Sequence, residues 1–143
     1  MTSGTVNILL VDDDDIDVEA CCRAFARLHI PHPLCIARDG VEAIEILRGE
    51  NGYTPLEEPY VILLDINMPR MDGLEFLEEL RADEQLKRSV VFILTTSSAD
   101  EDRQRAYNSG VAGYILKNKS DASFLEAVSM IDQYSKVVEL PGA

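Results

Sequence analysis

The chain has 143 residues, 46% apolar and 27% charged, which suits one folded unit with a single sizeable core and is unlike a disordered or membrane chain. Its formal net charge of -13 disfavours nucleic-acid backbones and anionic membrane surfaces as direct partners, since binding either calls for clustered basic residues. No apolar run approaches the roughly 20 residues that span a bilayer, and the N-terminus has no signal-like segment, so a cytoplasmic protein without membrane association is expected.

In chain order, the apolar run Asn7 to Val11 predicts a first strand, ending in Asp12-Asp13. Asp14 or Asp15 then caps a helix whose apolar stripe is Ala20, Cys21, Ala24, Phe25 and Leu28. Cys21 and Cys22 are neighbours that cannot readily bridge, and Cys35 has no metal-like spacing to either, so three reduced, mostly buried thiols are expected. His29 and His32, near the helix end and the next turn, read as surface residues. A second strand runs from Leu34 to Ala37. Asp39 caps a helix striped by Val41, Ile44 and Leu47, with Gly49 as its stop. Gly49 to Pro59, with Gly52 and Pro55, reads as a surface loop.

The third strand, Tyr60 to Leu64, ends in Asp65, and Asp72 caps a helix carrying Leu74, Leu77 and Leu80. The fourth, Val90 to Leu94, ends in Thr95. Ala99 to Ser109, capped by Ser98 and stopped by Gly110, offers only Ala106 and Tyr107 as anchors and predicts a weakly packed helix. The fifth strand, Gly113 to Leu116, ends in Lys117, and Ser120 or Asp121 caps a last helix striped by Phe124, Val128 and Ile131.

Strands alternating with helices predict an α/β fold built on a parallel sheet. Four of the strands end in a chemically useful polar residue, and carboxyl ends of parallel strands share one rim, where ligands bind at the crevice at which strand order reverses. With the order 2-1-3-4-5, Asp12, Asp13 and Asp65 converge there. Three adjacent carboxylates repel one another, which implies a divalent cation. Oxygen ligands favour Mg²⁺; the 12-residue calcium loop pattern is absent. Taken alone, the run Asp12 to Asp15 is equally a solvated capping turn; two carboxylate strand ends joined by a hydroxyl and an ammonium on one rim are what point to a site.

The sequence resembles the receiver domains of two-component response regulators. Ile8-Leu9-Leu10-Val11-Asp12-Asp13, the block Leu63 to Gly73, Ile93-Leu94-Thr95 and Gly113-Tyr114-Ile115-Leu116-Lys117 carry the resemblance, which spans about residues 6 to 135. It implies a doubly wound, flavodoxin-like fold: five parallel strands in the order 2-1-3-4-5 with helices on both faces. It also implies that Asp65 accepts a phosphoryl group from a sensor histidine kinase. Asp13 and Asp65 would ligate Mg²⁺ or Mn²⁺ directly, with Asn67 adding its backbone carbonyl and Asp12 acting through a bound water. Lys117 would pair with a phosphoryl oxygen and Thr95 would bond another, while Tyr114 is the aromatic switch position, or else a plain rim tyrosine. Asn67 and Ser97 occupy places that tune access of hydrolytic water. Enzyme turnover is not implied beyond self-phosphotransfer and autodephosphorylation.

Asn118 stands where receivers commonly have proline, so the loop from Lys117 to Ser120 is expected to be trans and shaped differently. Residues 1–143 are expected to form one receiver domain with no output domain, signalling through contact with a downstream protein target. The apolar end, Tyr134, Val137, Val138, Leu140 and Pro141, together with the loop after the second helix, is similar to stand-alone regulators paired with phytochrome-type histidine kinases, where such a segment supports a homodimer. Three alternatives fit the residues less well. Haloacid-dehalogenase-like phosphatases carry Asp-x-Asp on their first strand, whereas Asn67 here stands where their general acid would be. A phosphorylation-independent pseudo-receiver gains nothing from five intact site positions. A flavin-binding flavodoxin would meet an acidic rim that repels its phosphate.

Overall fold

The computed structural model describes residues 5–118 and 121–142. Five strands, β1 (Asn7–Val11), β2 (Leu34–Ala37), β3 (Tyr60–Leu64), β4 (Val90–Thr95) and β5 (Gly113–Leu116), alternate with five helices, α1 (Asp15–Arg27), α2 (Gly40–Arg48), α3 (Gly73–Ala82), α4 (Asp100–Asn108) and α5 (Asp121–Val137). The strands form one sheet in the order β2-β1-β3-β4-β5, every pairing parallel, as expected. β4 extends one residue further than expected, taking Thr95 into the strand. No helix of the described residues is long and apolar enough to cross a membrane.

The strands are apolar on both faces because both are covered, and the period of two divides their side chains between two cores. Leu9, Val11, Ile62, Leu64, Val91 and Ile93 pack with Ala43, Ile44 and Leu47 of α2, Phe76, Leu77 and Leu80 of α3, and Ala106 of α4. Their neighbours Ile8, Leu10, Val61, Leu63, Phe92 and Leu94 pack with Val18, Cys21, Ala24 and Phe25 of α1 and Phe124, Val128 and Ile131 of α5. The register Val11 against Leu64 brings the ends of β1 and β3 level, so that Asp12 and Asp65 emerge side by side.

Most helix ends follow the sequence. Asp14, of the two candidates, caps α1; Asp39 caps α2; Asp72 caps α3 in a reciprocal capping box with Glu75. Ala99, not Ser98, occupies the cap of α4 and makes no side-chain cap bond there. Ser120 and the side chain of Asp121 lie outside the described residues. Arg81, at the end of α3, donates to the carbonyls of Ser109 (2.6 Å), Ser89 (2.7 Å), Lys87 (2.8 Å) and Gly110 (3.1 Å), so one guanidinium stitches together the loops that lead into β4 and β5.

Four expectations are corrected. His32 is buried: its Nδ1 accepts from the Val6 N–H (3.1 Å), while Nε2 lies 3.2 Å from Asp132 Oδ1 of α5 without making a hydrogen bond to it. Cys22 is exposed and Cys35 half-buried, leaving Cys21 as the one fully buried thiol. Leu28 closes α1 as its C-cap and is exposed. Tyr107 is 50% exposed, because only Ala106 of α4 turns to the sheet and the next residue points about 100° away. His29 is exposed, as expected. The Lys117–Asn118 bond is not among the cis peptides of the described residues, of which Glu58–Pro59 is one; Lys119 and Ser120 lie outside the described residues.

Candidate functional site

The rim at the carboxyl ends of the strands holds the acidic cluster. Asp12 follows β1 directly and is buried, Asp13 is exposed, and Asp65 follows β3 and is buried. Oxygens of all three lie within 4.8 Å of one another. Lys117, after β5, is 4% exposed and reaches back across the rim to place Nζ 2.8 Å from Asp12 Oδ2 and 3.7 Å from Asp65 Oδ2. Its other close partner is Asp17 Oδ2, also at 2.8 Å. Asp13, Asp14, Asp17, Asp65, Asn67, Thr96 and Lys117 line an open cleft of about 300 Å³ above this cluster.

Local backbone contacts fix the orientation of each group. The Asp14 N–H donates to Asp12 Oδ1 (2.9 Å), and the Ile66 N–H donates to Asp65 Oδ1 (2.8 Å), which leaves Asp65 Oδ2 on the side of Lys117. The loop after Asp65 is closed by a bond from the Gly73 N–H to the Ile66 carbonyl (2.8 Å). A Cβ at position 73 would lie 2.2 Å from the Asp65 carbonyl oxygen, so glycine is required for this approach. Arg70, at φ 62°, then grips Asp39 with Nε and Nη2 (2.8 and 3.1 Å), and the Gly40 N–H donates to the Met71 carbonyl (3.1 Å). The loop carrying Asn67 is thereby tied to the start of α2 across the sheet.

Electrostatics follow from burial. Desolvation pushes the Asp12 carboxyl above its ordinary value, and the hydrogen bond from Lys117 offsets this in part. Burial alone would lower the Lys117 ammonium, but its bonds to Asp12 and Asp17 and the nearby charge of Asp65 outweigh that and hold it above the usual lysine value. Lys117 is therefore a fixed cation. Behind the site, burial and the charge of Asp12 push the Cys21 thiol up to about 12, which makes it inert.

Of the sequence-predicted residues, Asp12, Asp13, Asp65 and Lys117 meet in one cluster, and Asn67 stands exposed on the cleft wall. Thr95 is fully buried; Thr96, not Thr95, lines the cleft. The Thr95 hydroxyl accepts from the Ser97 N–H (3.3 Å), the half-buried Tyr114 donates its O–H to the Ser97 carbonyl (2.8 Å), and the Ser97 hydroxyl donates to Asp102 of α4 (2.6 Å).

Sequence reasoning missed Asp17 and the Arg70–Asp39 clamp. Asp17 lies four residues before Cys21, on the stripe shared with Ala24 and Phe25, and an aspartate on an apolar helical stripe is the signal that could have found it. Whether the acidic cluster fits a divalent cation can be judged from its dimensions. Oxygens on opposite sides of an octahedral Mg²⁺ at roughly 2.1 Å lie about 4.2 Å apart, close to the span of the cluster. Asp13, without a hydrogen bond or ion pair among the described residues, is available as a ligand, so the residues fit.

Comparison with known proteins agrees with this geometry. The family model for the response regulator receiver domain matches residues 8–129. The response regulator Rcp1 of Synechocystis sp. is 34% identical over 95% of this chain and 93% of its own, and the probable methanogenesis regulatory protein FilR2 of Methanothrix harundinacea is 37% identical over 89% of this chain and 81% of its own. Among solved structures, the phosphorylated cyanobacterial phytochrome response regulator RcpA superposes with a TM-score of 0.87 at 35% identity, covering 96% of this chain and 99% of that one. The Mn²⁺-bound form of Rcp1 gives 0.84 at 33% identity, with 95% and 99% covered.

Proposed function

Because the chain belongs to the response regulator receiver domain family, whose members are signalling proteins and not an enzyme family in the ordinary sense, we propose that Asp65 accepts a phosphoryl group from the phosphohistidine of a sensor histidine kinase. The observation that carries this reading is the Asp65 carboxylate itself, one oxygen pinned by a backbone N–H and the other 3.7 Å from a buried ammonium, with Asp12 and Asp13 clustered beside it at the floor of an open cleft. In the transfer, an Asp65 oxygen attacks phosphorus in line, the bond from phosphorus to the histidine nitrogen breaks, and the histidine departs with the electron pair.

Asp12, Asp13 and Asp65, with the Asn67 backbone carbonyl, are the groups to hold Mg²⁺ or Mn²⁺. When bound, the cation supplies neutralising charge for the phosphoryl oxygens. Lys117 pairs with one phosphoryl oxygen. Thr95 turns its hydroxyl out of its buried position to meet another, releasing the Ser97 N–H, while Tyr114 is tied to the carbonyl of the same residue. The change reaches α4, whose single buried anchor makes it easy to displace.

The kinase is proposed to be of the phytochrome type, supported by the likeness to RcpA and to the response regulator RPA3017 in red light signalling of R. palustris, which has a TM-score of 0.85 at 30% identity over 96% of this chain. Val137 and Val138, at the end of α5 and just beyond, are exposed apolar residues, and we assign to this C-terminal segment a homodimer contact; the signal leaves through contact with a downstream protein target. The test is incubation with acetyl phosphate, with Mg²⁺ or with a chelator, read by intact mass. One hydroxylamine-labile phosphoryl group is expected that needs both the metal and Asp65, and is absent in Asp65→Asn. A wild-type protein that neither acetyl phosphate nor a histidine kinase labels refutes the reading.

A further inference from the structure

Lys117 has one carboxylate partner more than phosphoryl acceptance requires. Asp17, in the first turn of α1, is 2% exposed and puts Oδ2 as close to Nζ as Asp12 does, at 2.8 Å. Asp65, the residue that the lysine is to serve, is at 3.7 Å, beyond hydrogen-bond reach. An ammonium has three N–H donors, so two are committed to Asp12 and Asp17 and one remains for Asp65 or for a group attached to it. Asp17 cannot easily follow the lysine toward the cleft, because α1 is seated on the sheet by Val18, Cys21, Ala24 and Phe25.

A phosphoryl group on Asp65 adds charge and three acceptor oxygens directly before Lys117. The ammonium is then contested: advancing to the phosphoryl group stretches its charge-assisted bond to the buried Asp17, and weakening that bond costs free energy. We infer that Asp17 is a positioning residue that holds Lys117 back from Asp65 and so weakens the site's grip on a phosphoryl group. The inference rests on the phosphoacceptor reading above and adds to it a restraint on how far the phosphorylated state is favoured.

The experiment is a double-mutant cycle on the affinity for beryllofluoride, a phosphoryl stand-in, in the presence of Mg²⁺. Asp17→Asn is expected to tighten binding roughly 3- to 10-fold, the scale of one weakened charge-assisted hydrogen bond. Removing a negative charge would favour any anion, so the same substitution is also made in a Lys117→Met background. There the tightening disappears if Asp17 acts through Lys117, and its persistence overturns the inference. Should Lys117→Met fail to fold, the crystal structure of metal-free Asp17→Asn decides: Nζ within hydrogen-bond distance of Asp65 supports the inference, and Nζ still near 3.7 Å overturns it. If the wild type neither binds beryllofluoride nor accepts a phosphoryl group, the phosphoacceptor reading fails. A competent wild type with an indifferent Asp17→Asn refutes the inference alone.

Discussion

Asp13→Asn should stabilise the metal-free protein while sharply weakening its response to Mg²⁺. The exposed Asp13 carboxylate faces those of Asp12 and Asp65 at 4.8 Å or less, and no ion pair of its own compensates among the described residues. At that distance two like charges repel by about 0.9 kcal/mol even at the dielectric constant of water, so two neighbours supply about 2 kcal/mol, which the attraction of Lys117 reduces. A net gain of roughly 1 to 2 kcal/mol in the presence of a chelator is the expected size. A bound cation reverses the sign for the wild type, which gains about 2.7 kcal/mol at a hundredfold excess over the dissociation constant, whereas the variant lacks a ligand and gains far less. Urea unfolding of both proteins, with chelator and with Mg²⁺, measures the four stabilities. The reasoning is refuted if Asp13→Asn is less stable than the wild type without metal, or if Mg²⁺ stabilises the two equally.

Two other perturbations probe the supports around the site. Arg81→Met removes four hydrogen bonds to loop carbonyls that border an open cleft of about 940 Å³, so water recovers part of the loss; about 2 to 4 kcal/mol should disappear from the urea-unfolding free energy, and a change under 1 kcal/mol would show the stitch to be idle. For Asp39, burial alone would raise the carboxyl, but the hydrogen bonds from Arg70 and the Glu42 N–H and the charge of Arg70 outweigh it and hold it below its ordinary value. A lowered folded-state value stabilises above the unfolded-state value of 3.8 and is lost as pH falls through the folded one. The stability gap between wild type and Arg70→Met should therefore be full at neutral pH and close below about pH 4 in acid melts; a gap that stays constant argues against the pair.

The acidic rim was legible because Asp12 and Asp65 directly follow buried strands, Thr95 ends one and Lys117 follows β5, so the change from Val, Ile and Leu to Asp, Thr or Lys marks the point at which the chain leaves the sheet. What escaped was placed by packing between distant segments. Asp17 was hidden among five acidic residues in the stretch from Asp12 to Asp17, and only its spacing from Cys21 separates it from the exposed Asp13 and Asp15. His32, flanked by Pro31 and Pro33, carries no local sign of the Val6 N–H and Asp132 carboxylate that enclose it. Arg81 looked like an ordinary polar position at the end of α3, since its acceptors are backbone carbonyls and leave no mark in the sequence. Tyr107 is one of two apolar candidates in a charged segment, but α4 turns a narrow face to the sheet and Ala106 fills it.

Ser97 stands between Thr95 and Tyr114, the proposed switch positions, in a way that separates transmission from adjustment. Its N–H bonds to Thr95 and its carbonyl receives Tyr114, so both links run through the main chain, while its side chain is occupied with Asp102. Almost any residue could sit at position 97 without severing the connection between threonine and tyrosine, and only proline would delete the donor. The side chain at position 97 can therefore change, altering how firmly α4 is held, while the link between Thr95 and Tyr114 stays with the backbone.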